Sequence, residues 1–432
     1  MPAESDLVSL LAVPRRADRP RERVLEAWEA MVSDEVFFRE WDGRAAGERR
    51  SPERARTLAG VLGLPDPERP VLAVVGSKGK GTAATYASAV LATAGLRVCT
   101  VTSPAYRSDR ERVRVDGRAL GKEEFTALAG RLDTARRALS APVGGYLSPS
   151  GLFLLAGALY ARQADLDVLV LEAGMGGRSD EVSLFPATVV AITPVFGEHV
   201  GVLGDTPAEI AREKAGVAGP STRAVVSAPQ TPDVTEALAE IVPRAEMPGG
   251  EGLPPDLLPD GLARTAAETG HLAALRMLGA LGVPAPPADR LRATLATISL
   301  PGRLSWHSVP GTETLLLADS AIERAGIAVA LAAARARWGT IDHVLVCLPD
   351  HKDLDGAIAE LGDLPVSYVR LPYGHLRFSR PLPGAWRVID AADLTPASVA
   401  ALGGRVVALG TVYFVGRILE LVDADTERLF RP

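Results

Sequence analysis

The sequence predicts an α/β protein: a mostly parallel, P-loop-type sheet domain with helices on both faces, followed by a smaller C-terminal α/β domain of Rossmann-like form. Three observations predict it. Short β-branched runs alternate with longer alanine- and leucine-rich stretches, the pattern of strands and crossover helices in a parallel sheet. A glycine-rich turn follows the first such run directly. The alternation then restarts on a smaller scale after Pro301-Gly302-Arg303.

Taken in order, residues 1–55 read as an N-terminal helical segment. Its arginine-rich patch, Arg15 to Arg23, is interleaved with Asp18 and Glu22 and reads as a solvated helix face. The central domain is expected over 56–298, with strands at 71–75, 97–101, 168–171, 188–192 and 224–227. Each is short, apolar and rich in valine or isoleucine. Helices are expected at 152–163, 207–215 and 263–281, with a Pro/Gly-rich loop at 247–261. The C-terminal domain is expected over 299–432. Its strands are read at 315–318, 343–348, 366–370 and 405–410, alternating with helices at 325–338, 354–361 and 414–421.

Composition bounds the function. With 432 residues, 47% hydrophobic and 23% charged, the chain has the profile of a soluble enzyme of two or three domains. A formal net charge of -6 argues against a nucleic-acid partner. No run approaches the 18 apolar residues of a membrane span, and the early apolar run 7–13 lacks the basic flank of a signal peptide. Cys99 and Cys347 lie inside apolar strand-like runs, so they read as buried thiols of a cytoplasmic protein. The chain has only five lysines: Lys78, Lys80, Lys122, Lys214 and Lys352. Where arginine supplies the generic cation, a surviving lysine marks a need for a compact ammonium or a free amine.

Two of those lysines fall in Gly76-Ser77-Lys78-Gly79-Lys80-Gly81-Thr82. Three glycines let main-chain N–H groups approach an anion, the following helix start adds positive partial charge, and Lys80 adds a full one. Thr82 is placed to offer its hydroxyl to a magnesium ion on the same phosphates. The loop therefore reads as a nucleoside triphosphate cradle. Its spacing departs from Gly-x-x-x-x-Gly-Lys-Ser/Thr because Gly81 separates Lys80 from Thr82. Gly79-x-Gly81-x-x-Ala84 also fits a dinucleotide fingerprint, but the next strand ends in Thr102-Ser103-Pro104 without the acidic residue a ribose needs. Later strand ends carry further polar groups. Glu172 opens a second glycine-rich turn, Glu172-Ala-Gly-Met-Gly-Gly-Arg178, as a metal ligand or as a helix-capping carboxylate. His199 follows the next strand, as a ligand or a structural histidine. Glu209 and Glu213 share a helix face with salt-bridge potential, and Lys214 beside them is either a helix-end cation or a catalytic or modified amine.

In this order the segments resemble the Mur ligase superfamily, most closely its folylpolyglutamate synthase/dihydrofolate synthase branch. The matching stretches are Gly76 to Thr82, Thr102-Ser-Pro104, Glu111 to Gly117, Leu171 to Arg178 and Gly197-Glu-His199. They continue with Leu203 to Thr206, Glu209 to Gly216, Pro301-Gly-Arg303 and Gly410 to Gly416. The resemblance implies an ATP-dependent ligase, in which ATP activates a small-molecule carboxylate as an acyl phosphate for attack by an amino acid or other amine. ATP and Mg2+, as two ions, are the implied cofactors. A monomer is the implied state, with a dimer as the alternative. Carried over, Lys80 would contact the β- and γ-phosphates, and Thr82, Glu172 and Ser103 would hold the first magnesium. His199 would hold the second. Lys214 matches a lysine that is carbamylated in many relatives, and a carbamate is an oxygen ligand for metal. His271 stands where a helical Asn touches adenine, and Arg303 and Asp319 would also contact the nucleotide.

The departures are concentrated. Lys78 replaces an Asn, and Asp-x-Ala-His-Asn-Pro reads Asp319-Ser-Ala-Ile-Glu-Arg324. Ser-Pro-His reads Ser103-Pro-Ala105, Gly151-Leu152 stands for a Phe-Glu, and the N-terminal Asp-Leu-Gly-Leu is absent. Together they imply a carboxylate other than folate. The alternatives are a genuine folylpolyglutamate or dihydrofolate synthase and a non-catalytic nucleotide-binding subunit, with a kinase or nicotinamide enzyme as more distant readings.

Overall fold

The computed structural model describes residues 30–45, 47–66, 69–139, 144–249, 253–259, 261–350, 352–373, 376 and 378–432. The Arg15–Arg23 patch and the apolar run 7–13 lie outside the described residues. Two compact units emerge. The larger holds residues 30–103, Asp109–Ile298 and Arg428–Pro432; the smaller holds Pro104–Ser108 and Ser299–Glu427.

In the larger unit the chain opens with the π-helical turn Asp34–Phe38, a short helix Arg39–Asp42, and α1 (Pro52–Val61). Then come β1 (Val71–Val75), α2 (Lys80–Thr93), β2 (Val98–Val101), β3 (Val113–Val115) and β4 (Arg118–Ala119). Helices α3 (Lys122–Arg137) and α4 (Pro149–Gln163) lead to β5 (Val168–Glu172) and β6 (Val189–Ile192). The unit closes with α5 (Pro207–Ala215), β7 (Ala224–Ser227), α6 (Pro232–Ile241), α7 (Leu262–Leu281) and α8 (Ala288–Leu295).

The sheet order is β4-β3-β2-β5-β1-β6-β7, parallel from β2 to β7, with β3 and β4 antiparallel at one edge. Every residue of β1, β2, β5 and β6 is buried, as strands covered on both faces must be. Placing β1 between β5 and β6, and β5 beside β2, gathers the ends of these strands where ligands collect in open α/β sheets. Helix α2 is built of small residues and is buried from Thr82 to Thr93. Helix α7 crosses it at close range. A Cβ on Gly270 would fall 2.1 Å from Ala83 O, so only glycine permits the approach. Caps set the helix starts: Ser51, Ser148 and Thr206 accept main-chain N–H bonds at the heads of α1, α4 and α5, each with proline next in the chain.

The smaller unit contains β8 (Ser305–Ser308), β9 (Leu315–Asp319), α9 (Arg324–Trp338), β10 (His343–Cys347) and α10 (Leu354–Leu361). It continues with β11 (Val366–Arg370), β12 (Arg387–Asp390), α11 (Pro396–Ala400), β13 (Arg405–Gly410) and α12 (Val412–Leu421). Its sheet runs β12-β11-β10-β13-β9-β8, parallel except for β8. One apolar cluster lies under α12 and another under α9 and α10, one on each face. Residues 104–108 are built into this unit. Tyr106 Oη lies 3.1 Å from Ser320 Oγ, and glycine at 302 and 416 is required because a Cβ at either would strike Tyr106.

Strands β3, β4, β8 and β12 were not expected from the sequence. All are short, carry polar residues and sit at or next to sheet edges, so they lack the continuous apolar run of a central strand. Cys99 and Cys347 are buried free thiols, and burial pushes both up to about 12. No helix among the described residues is long and apolar enough to cross a membrane.

Candidate active site

The phosphate-cradle sequence forms the turn between β1 and α2. Gly76 leaves β1 at φ 137°, and a Cβ there would lie 2.0 Å from Thr193 Oγ1, so the chain leaving β6 can come this close only to glycine. Gly79 at φ 87° is the left-handed residue that turns the chain into α2. Ser77 ties the loop to the chain leaving β6. Its N–H donates to Pro194 O at 2.9 Å, its hydroxyl donates to Phe196 O at 3.2 Å, and it accepts from Phe196 N at 3.1 Å. Lys80 arches back over the loop, its Nζ donating to Gly76 O at 3.0 Å. Lys78 is half-buried in the same turn, and Thr82 is buried in the first turn of α2.

Glu172 ends β5 and is 6% exposed. Its Oε2 accepts the N–H of Ser103, which follows β2, at 2.9 Å. The same oxygen lies 3.6 Å from where a Cβ on Gly81 would stand. The ends of β2, β5 and β1 thus bring Ser103, Glu172 and the Gly81-Thr82 step together. One carboxylate with two hydroxyl residues is a hard-oxygen donor set. Among the described residues, no three His, Cys, Asp or Glu side chains group closely enough to hold an ion by themselves. That suits Mg2+, which binds through one or two carboxylates plus phosphate oxygens and retained waters. The donor types at Ser103, Thr82 and Glu172 fit the metal.

Lys214, near the end of α5, is 1% exposed and reaches the same loop. Its Nζ donates to Gly76 O at 2.9 Å and to Glu198 Oε1 at 2.8 Å. Burial, and then the nearby Lys80 ammonium, hold its pKa below the ordinary lysine value, while Glu198 opposes them. His199, next to Glu198, stands on an exposed turn at φ 50°, where its carbonyl accepts the N–H groups of Val202 and Leu203. His271 is carried by α7 and is 3% exposed, next to the Gly270–Ala83 contact. Arg303 and Asp319 belong to the smaller unit. There Asp319 Oδ2 accepts the N–H of Leu304 at 2.7 Å, and Arg303 is exposed.

Among the described residues, Glu209 and Glu213 do not make the ion pairs expected of them. Glu209 Oε2 accepts the N–H of Asp205 at 2.6 Å, and Glu213 Oε1 accepts Ser179 N and Oγ at 2.7 Å each. Main-chain groups of tight turns need acceptors, and these carboxylates supply them. The sequence reading also missed Glu198 as the partner of Lys214, and a buried group of Arg50, Asp180 and Glu181 behind the second glycine-rich turn. No local pattern marks that group, because Arg50 lies 130 positions from Asp180.

No family model matches the chain. It is 34% identical over 295 residues to a probable bifunctional folylpolyglutamate synthase/dihydropteroate synthase of Halobacterium salinarum, covering 67% of this chain and 32% of that protein. It is 32% identical over 272 residues to the dihydrofolate synthase/folylpolyglutamate synthase of Escherichia coli, covering 58% of this chain and 61% of that one. The match therefore spans less than two thirds of either relative. In fold, the chain resembles the solved structure of Mycobacterium tuberculosis folylpolyglutamate synthase complexed with ADP. The TM-score is 0.74 at 23% identity, over 92% of this chain and 99% of that one. Sequence similarity to these synthases, joined to their two-sheet α/β architecture, places the chain in the folylpolyglutamate synthase/dihydrofolate synthase-like branch of the Mur ligase superfamily, as a divergent member.

Proposed function

We propose that the protein is an ATP-dependent, ADP-forming carboxylate–amine ligase that joins an amino acid or other amine to a small carboxylate. The observation that carries this reading is the meeting of Lys80, Lys214, Ser103 and Glu172 around one glycine-rich turn at the head of α2. The α2 N-terminus and two ammonium groups favour a polyphosphate there. Magnesium, held by Thr82, Glu172 and Ser103 with His199 at a second position, would offset phosphate charge. The carboxylate becomes reactive when its oxygen takes the terminal phosphoryl group of ATP, which turns a poor leaving group into a good one. This chain's own part is to hold the triphosphate, to place positive charge where negative charge grows, and to fix the geometry before reaction.

The carboxylate is proposed to be other than folate. Ala105 follows Ser103-Pro104 where folate enzymes have His, and Gly151-Leu152 stands for their Phe-Glu. The names of the relatives favour the other reading, a genuine folate-acting synthase. Phosphate release from Mg·ATP decides between them, measured with dihydropteroate or tetrahydrofolate plus glutamate and, in parallel, with a panel of carboxylates and amines. Turnover only with panel compounds supports the non-folate reading, and turnover with either pterin compound removes it. If wild-type protein does not bind Mg·ATP in calorimetry, the ligase reading itself falls.

A further inference from the structure

Asp180 and Glu181 follow the second glycine-rich turn, and both side chains are fully buried. One guanidinium serves both. Arg50 Nη1 lies 3.0 Å from Asp180 Oδ2 and 3.2 Å from Glu181 Oε2, while its Nη2 donates to Met175 O inside the turn. Asp180 holds the turn's main chain, accepting Met175 N at 2.7 Å and Val182 N at 2.9 Å. Glu181 Oε1 lies 2.8 Å from Ser148 Oγ, the cap of α4. Its carboxyl fills the space over Gly151, where a Cβ would fall 2.6 Å from Glu181 Cδ.

The other side of the turn rests on α5. Gly177 packs on the Lys214 main chain, where a Cβ would meet Lys214 O at 2.3 Å, and Arg178 N donates to Glu213 O at 2.9 Å. The turn begins at the residue after Glu172. It is therefore gripped between the buried charges and the helix that carries Lys214.

We infer that Arg50, Asp180 and Glu181 are positioning residues that set the 173–179 turn and, through it, Glu172 and Lys214 beside the phosphate loop. The functional meaning of this cluster rests on the ligase reading above. Charge counting adds one detail. Two carboxylates face one guanidinium, and Lys214, a further cation that feels Asp180, is already paired with Glu198. A retained proton relieves the excess negative charge. Burial first, and then Asp180, push the Glu181 carboxyl above the usual carboxylate range, against the pull of Arg50 and the Ser148 hydrogen bond. Ser148 Oγ donates to Glu181 Oε1 at 2.8 Å and lies 3.2 Å from Ser150 Oγ.

The test uses the full chain with Glu181→Gln, Glu181→Ala, Arg50→Met and Arg50→Lys. Its readouts are hydrogen exchange of peptides covering 173–182 and ADP affinity with and without Mg2+. Gln keeps the shape and hydrogen-bonding reach of Glu181 over Gly151, so Glu181→Gln keeps wild-type protection and the wild-type Mg2+-dependent gain in ADP affinity. Arg50→Met and Glu181→Ala raise exchange across 173–182 by about tenfold or more and reduce the Mg2+-dependent gain, while Mg2+-free ADP affinity changes less than about threefold. Arg50→Lys keeps the charge without the fork and falls between, which keeps the test decisive if Arg50→Met fails to fold. The inference is overturned if Arg50→Lys and Glu181→Ala leave 173–182 as protected as wild type, or if Glu181→Gln behaves like Glu181→Ala. A wild-type chain that binds no ADP would strike the ligase reading alone, since the exchange readout needs no nucleotide.

Discussion

Lys80 and Lys214 donate to the same carbonyl, Gly76 O, at 3.0 and 2.9 Å. They reach it from opposite sides of the chain, one from the first turn of α2 and the other from the end of α5. A carbonyl oxygen has two lone pairs, so it can serve both. Two ammonium groups this close repel each other, and of the two only Lys214 pairs with a carboxylate among the described residues, Glu198 at 2.8 Å. The unbalanced positive charge belongs to Lys80, at the turn best built to receive an anion.

The first prediction follows from that asymmetry. Lys80→Ala is expected to cut Mg·ATP-dependent turnover by on the order of 10²–10³, the loss of one charge-stabilising contact. Among the described residues Lys80 bonds only to the loop's own main chain, so thermal stability should move little. Phosphate release measured beside a melting curve checks both, and wild-type turnover in the variant would remove Lys80 from the mechanism.

Lys214 yields a prediction about pH and about modification. Its folded pKa lies below that of the unfolded chain because of burial and Lys80. Between the lowered value and about 10.5 the unfolded state binds more protons, so stability rises with pH across that window, and below it the full penalty of burying the ammonium persists. The wild-type Tm should therefore gain on that of Lys214→Met as pH rises through the window. A depressed pKa also raises the share of the neutral amine that carbon dioxide requires. We expect intact mass to reveal a carbamate adduct on Lys214 in bicarbonate buffer, with turnover rising alongside it. Such an anion would repel Glu198 unless metal lies between them. Full turnover and no adduct in carbon-dioxide-depleted buffer would leave Lys214 as an ammonium clasp on Gly76.

How much of this was legible in the sequence depended on whether the signal was local. The phosphate turn and Glu172 stood out because a covered parallel strand is an unbroken apolar run, and the polar residue ending it is conspicuous. The β3–β4 pair was not, because Val113-Arg114-Val115 is three residues long and pairs through a turn at Asp116 and Gly117. Glu209 and Glu213 were read for helix-face pairing, yet their partners are N–H groups of neighbouring turns, which side-chain periodicity does not record. The Arg50, Asp180 and Glu181 group depends on a contact 130 positions apart, beyond the reach of any window.

Glu172→Gln separates charge from geometry. The amide oxygen can still accept the Ser103 N–H, so the loop after β2 should keep its place. The proposed Thr82–Ser103 metal set would lose its one carboxylate. Calorimetry should find that Mg2+ no longer strengthens ADP binding, with a loss of about tenfold or more, while Mg2+-free binding stays near wild type. An unchanged Mg2+ effect would mean that the ion is held elsewhere.

Gly270→Ala tests the support beneath the phosphate turn. A Cβ at this position falls 2.1 Å from Ala83 O and 2.8 Å from Ala83 Cα, and neither is a flexible side-chain end. Helix α7 must then move off α2, opening the packing around Ala83 and Ala84, both fully buried. Overpacking of this kind costs about 1–3 kcal/mol. Helix propensity works the other way, since Ala is favoured over Gly by roughly 1 kcal/mol inside a helix. The backbone clash should win, so the larger unit is expected to melt at lower temperature. Because α2 begins at Lys80, its displacement should also weaken ADP binding. A variant as stable as wild type would mean that α7 and α2 can part without cost, and that the small residues of α2 serve something other than close packing.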